Sequence, residues 1–149
     1  MIGFRSTMED ADLCISSLPS PFEGKLLKFI FARRVNKTTI DWSFFAVLDG
    51  HGGDEVAKRA ADLMVPVLLS QPQITKITNG LEYEVKEVEE ALRQSFIDID
   101  AQLHVQMKKY RRFAGATCTS SLITPNHIFT SNLGDSRTLI VKKGSNAQA

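Results

Sequence analysis

The stretch Trp42-Ser43-Phe44-Phe45-Ala46-Val47-Leu48-Asp49-Gly50-His51-Gly52-Gly53-Asp54 constrains this chain more than any other. It opens as a run of aromatic and aliphatic residues of the kind that forms a buried strand. The run stops at an aspartate, passes through glycines and a histidine, and gives way after Asp54 to helical spacing. A strand that ends on a carboxylate beside glycine and histidine, just ahead of a helix, lets backbone and side chains hold a cation or an anion together.

The residues before this stretch read as strands and turns. Residues 13–18 suit a strand ended by Pro19-Ser20-Pro21, and Glu23-Gly24-Lys25 suits a turn. Residues 26–35, centred on Phe29-Ile30-Phe31, suit a second strand, with a turn at 36–39 and a third strand at 42–48. After Asp54, Val56, Ala57, Ala60, Ala61, Met64, Val67 and Leu68 mark one helix face, and Pro66 is expected to kink or shorten its last turns. Residues 71–80, with Pro72, read as a loop. Val85, Val88, Leu92, Phe96, Ile99, Leu103 and Met107 then give the cleanest helical pattern in the chain. Lys108-Lys109-Tyr110-Arg111-Arg112 suits the C-terminal end of that helix, with a patch for an anionic partner as the alternative. Residues 116–123, 127–133 and 138–142 read as strands, and 144–149 as a frayed end. Strands, a helix pair, then strands again is an α+β order rather than a series of βαβ units.

With 149 residues the chain has room for one domain with a real core and not for two of ordinary size. Its 18 basic and 17 acidic residues leave a net charge of +1, which gives no electrostatic reason to propose nucleic acid or an anionic membrane surface. No signal peptide and no apolar run long enough to cross a bilayer is visible, so cytoplasm or nucleus is the expected location. Cys14 and Cys118 lack metal-ligand spacing; two free thiols are expected, with a disulfide as the alternative.

Three separated segments place carboxylates at a turn or strand end: Glu9 and Asp10, Asp49, and Asp135. Carboxylate and carbonyl oxygens are the ligands that Mg²⁺ and Mn²⁺ prefer. Singly, each acidic turn is explained by conformation alone, because Asp and Gly are common turn residues. A nucleotide phosphate loop is disfavoured, since no Gly-Lys-Ser/Thr follows the glycines. His104 and His127 are not spaced with His51 as a zinc set, and the Gly-x-Ser-x-Gly of a nucleophile elbow is absent.

Taken together in chain order, four segments resemble the PPM (PP2C-like) metal-dependent serine/threonine protein phosphatases. Arg5-Ser6-Thr7-Met8-Glu9-Asp10 is similar to that family's Arg-x-x-Met-Glu-Asp segment, and residues 44–53 to its Asp-Gly-His-Gly-Gly segment with the leading strand. Gly115-Ala116-Thr117 resembles its Gly-Ser/Ala-Thr segment, and Asn132-Leu133-Gly134-Asp135-Ser136-Arg137 its Asn-x-Gly-Asp-Ser-Arg signature. The resemblance implies two packed antiparallel sheets flanked by helices, of which residues 1–149 would be the N-terminal portion as a single partial domain.

It also implies roles. Asp49 would bridge two Mg²⁺ or Mn²⁺ ions, with the Gly50 carbonyl as a further ligand. Glu9 and Asp10 would hold metal-bound waters, Thr117 would touch one, and Asp135 would help hold a third, weaker ion. Arg5 would bind the substrate phosphate, to which a guanidinium fork is well matched. His51 would protonate the leaving seryl or threonyl oxygen, and a metal-activated water would attack phosphorus without a covalent enzyme intermediate. The substrates would be phosphoserine and phosphothreonine proteins.

Domains of this family continue past the Gly-Asp-Ser-Arg strand, and two later aspartates complete the metal shell. No acidic residue follows Asp135. Two readings are therefore carried forward. In one, the chain is an incomplete catalytic unit of a phosphatase. In the other, it is a catalytically inactive phosphatase-like binding or regulatory module, and unpaired sheet edges favour self-association or pairing with a missing C-terminal half.

Overall fold

The computed structural model describes residues 7–19, 39–78, 82–107 and 114–143. The strand expected at 26–35, the cationic run 108–112, the terminus 144–149 and Arg5 lie outside them. The described chain forms β1 (Ala11–Ile15), β2 (Leu18–Pro19), β3 (Thr39–Ile40), β4 (Ser43–Leu48) and β5 (Gly50–His51). Helices α1 (Glu55–Ser70), α2 (Pro72–Thr78) and α3 (Val85–Met107) follow, and then β6 (Gly115–Ala116), β7 (Cys118–Ile123) and β8 (Ile128–Leu133). No helix among the described residues is long and apolar enough to cross a membrane.

The main sheet is antiparallel, with strand order β1-β4-β7-β8. Side chains alternate between its faces. Phe44, Ala46 and Leu48 of β4 are buried on one face, beside Cys118, Ser120 and Leu122 of β7 and Phe129 of β8. This inner face packs on α1 and α3, whose expected stripes are largely buried: Val56, Ala57, Ala60, Ala61, Met64, Val67 and Leu68 on α1, and Val88, Leu92, Ile99 and Leu103 on α3. Small residues, Ala91 and Ser95, are also buried on α3. Toward the edge strand α3 leaves a groove of about 630 Å³ lined by Leu92, Phe96, Phe129 and Leu133 among others, so Leu133 is exposed although it faces inward.

Tyr83 joins the start of α3 to the β7–β8 turn. Its hydroxyl is 3.0 Å from Thr124 Oγ1 and 3.2 Å from His127 Nδ1, and its ring meets buried Trp42 edge-on at 5.6 Å. His127 is thus an exposed structural residue, and His104 is exposed on α3. Cys14 is exposed on the outer face while Cys118 is buried on the inner one, and both are free. Burial pushes the Cys118 thiol up to about 11.

Several sequence expectations are corrected. Residues 72–78 are helical rather than loop: Pro72 takes the first helical position, where its missing N–H costs nothing. Ile74, fully buried, anchors the helix. Helix α1 runs a turn beyond Pro66, so the proline does not shorten it. Residues 138–142 form no strand; Ile140 makes only an isolated bridge. The first strand is Ala11–Ile15 rather than 13–18.

Candidate active site

One end of the main sheet collects the candidate residues. The antiparallel order starts β1 and β7 at this end and finishes β4 and β8 there. Glu9 and Asp10, the loop Asp49-Gly50-His51, Thr117 and the turn Gly134-Asp135-Ser136 therefore become neighbours despite their separation in sequence.

Asp49 is the single residue between β4 and β5, and its carbonyl accepts the N–H of Thr117 at 2.9 Å. The β4–β7 and β5–β6 ladders share one register across that break. One step beyond the last β1–β4 pair, Ala11 and Leu48, stand Asp10 and Asp49, both exposed. The next step brings Glu9 onto Gly50, where a Cβ would lie 2.1 Å from the Glu9 carbonyl oxygen and 3.3 Å from Ala57 Cβ. Only glycine lets the Glu9 backbone close over the loop this tightly.

On the other side, Thr117 stands one step beyond the Cys118–Leu133 pair, against Gly134. Gly134 has φ +91°, and a Cβ there would meet Thr117 Cγ2 at 2.8 Å. The hydroxyls of Thr117 and Ser136 are 2.6 Å apart, and those of Thr119 and Thr138 are also hydrogen-bonded. These two pairs fasten the residues after β8 back onto β7 and so fix the turn that carries exposed Asp135. In the loop, exposed His51 stands opposite Gly115. Asp54, at the N-cap of α1, bonds Lys58 Nζ at 2.5 Å, and that bond holds its carboxyl below the usual range.

These positions test the fit to a divalent cation. The carboxylates share one sheet end, yet among the described residues no group of three or more His, Cys, Asp or Glu is placed to hold a metal ion. Asp49 and Asp135 lie at the ends of strands separated by β7, two strand spacings or about 10 Å apart, whereas Glu9 and Asp10 lie directly beside Asp49 and Gly50. The described side chains do not by themselves make a metal site.

Sequence reading missed the contributions of Gly115, Gly134 and Ser136. The signal that could have found the hydroxyl pairs is the matching two-residue spacing of Thr117 and Thr119 against Ser136 and Thr138. The glycine contacts leave no such trace, because they depend on which strand lies opposite.

The whole chain, residues 1–149, matches the family model of protein phosphatase 2C. It is 30% identical over 155 residues to Protein phosphatase ppm-1.A of Caenorhabditis elegans, covering 96% of this chain and 29% of that protein. It is 31% identical over 151 residues to Protein phosphatase 1A of Homo sapiens, covering 95% of this chain and 33% of that protein. Among solved structures, the serine/threonine phosphatase Stp1 from Staphylococcus aureus superposes with a TM-score of 0.64 at 20% identity, covering 97% of this chain and 47% of that one. That likeness is one of fold. The chain spans about a third of the length of these curated relatives.

Proposed function

The chain belongs to the protein phosphatase 2C family, and on that premise we propose that it forms part of a protein serine/threonine phosphatase, acting on phosphoserine and phosphothreonine side chains with Mg²⁺ or Mn²⁺. The observation that carries this reading is the gathering of four sequence-distant segments at one sheet end, with Asp49 tied to Thr117 and Glu9 closed over Gly50. In this reading Asp49 and the Gly50 carbonyl would help hold the divalent ions, Glu9, Asp10 and Thr117 would act through water, and Asp135 would help hold a further ion. Arg5 would take the phosphate and His51 would donate the proton to the leaving oxygen. Bound divalent ions would supply positive charge for the phosphoryl oxygens and an acidified water. This reading calls for further ligands, since among the described residues no group of three or more His, Cys, Asp or Glu is placed to hold an ion.

A second reading rests on a specific observation: Phe45 and Val47, on the central strand, are exposed on the outer sheet face. A non-catalytic module that uses this face to bind a partner, or a second copy of itself, would show such a surface.

Hydrolysis of a phosphothreonine peptide by the 149-residue chain in Mn²⁺, compared with Asp49→Asn, separates the two readings. Metal-dependent turnover that disappears in the variant is expected of a phosphatase and eliminates the non-catalytic module. Equal background rates from both chains would eliminate catalysis by this chain alone.

A further inference from the structure

His51 and Gly115 bring two distant parts of the chain side by side. These residues are direct partners in the β5–β6 ladder, so a side chain at 115 would rise on the same face as the imidazole. Glycine leaves that place empty and the His51 ring fills it. A Cβ built at Gly115 would lie 2.5 Å from His51 Nε2, 2.8 Å from Cε1 and 3.5 Å from Cδ2. The edge of the ring carrying Nε2 and Cε1 therefore rests where the Gly115 side chain would be. An aromatic ring laid across an opposing strand glycine is a known way of covering exposed backbone. Here it also limits where an otherwise exposed ring can go.

From this contact we infer that Gly115 is a positioning residue for His51: its missing side chain is the seat that holds the imidazole, with its Nε2 edge, over β6. The inference rests on the proposed role of His51 as proton donor. A glycine has no chemistry of its own to contribute, so its effect must pass through the ring. Gly115 needs no positive φ; among the described glycines that value is found at Gly52, Gly53 and Gly134. The requirement is thus for space rather than for backbone conformation. Because the atoms met are the far end of a side chain, a methyl group at 115 can be accommodated by swinging the ring away, with the fold kept. Gly50 differs, since there the obstacle is backbone.

The test is NMR on the 149-residue chain with and without Gly115→Ala. In the native chain a nuclear Overhauser contact between His51 Hε1 and the Gly115 Hα protons is expected; its absence from a folded spectrum overturns the seat without any variant being needed. In Gly115→Ala the His51 ring resonances should move while amide signals away from β5 and β6 stay in place. Unmoved ring resonances in the folded variant would overturn it too. On a phosphothreonine peptide, Gly115→Ala should lower kcat roughly tenfold or more with KM little changed, and should add no loss in a His51→Ala background. An equal loss in that background would reduce Gly115 to a structural residue. A chain with no turnover sinks the phosphatase reading and leaves the ring-position result to decide the seat.

Discussion

The two faces of β4 differ sharply in their surroundings. On the inner face Phe44, Ala46 and Leu48 are buried against α1 and their strand neighbours; on the outer face Phe45 is 36% exposed and Val47 53% exposed. Both faces carry apolar residues, but only one has a cover among the described residues. Among the described residues the inner face carries the core and the helical layer, while the outer face of β4 and the site end are solvent-facing.

Replacing residues on either side should show this difference directly. Phe44→Ala removes a ring that is 1% exposed and should cost about 3–5 kcal/mol in a urea titration; a loss below 1 kcal/mol would mean the inner face is not the core. Gly50→Ala sets a methyl against the Glu9 carbonyl, and backbone cannot swing aside, so a loss of about 1–3 kcal/mol is expected. Hydrogen exchange on the same variant should show Glu9 and β1 loosening first, as faster amide exchange at residues 9–11.

A pH-dependent comparison comes next. The Gln71 amide, at 2.9 Å from Asp98 Oδ2, and then the Gln94 amide hold the Asp98 carboxyl below the ordinary 3.8 of an aspartate. A depressed folded value favours the fold above the unfolded value and loses that advantage as pH falls through the folded one. Asp98→Ala should therefore be less stable than the native chain at pH 6, and the gap should narrow below about pH 3.8. A gap that is constant from pH 6 to pH 3 would show that the α1–α3 link does not depend on the charge. The smallest effect belongs to the outer face, where Val47→Thr should change stability by no more than about 0.5 kcal/mol. A large loss there would mean that the face is already covered in solution.

Much of this was legible in the sequence. The helices α1 and α3, the strand entering the Asp-Gly-His loop, and the list of carboxylates all follow from periodicity and turn chemistry, which are local properties. Failures came where one residue has two local meanings. Pro72 can break a helix or begin one, and residue 138 onward has strand composition without a described strand beside it. Tertiary partners decide such cases.

For this protein, then, the sequence alone determined the helices α1 and α3 and the strand β4 that carry most of the core, and that acidic and glycine-rich turns lie at strand ends. Only the tertiary structure decided that these turns lie at the same end of one sheet. It alone showed that Gly50 admits the Glu9 backbone, that Gly115 seats the His51 ring, and that Ser136 holds Thr117. Hydrophobic periodicity is written along the chain, whereas a close approach between strands is fixed by register, which no single segment contains.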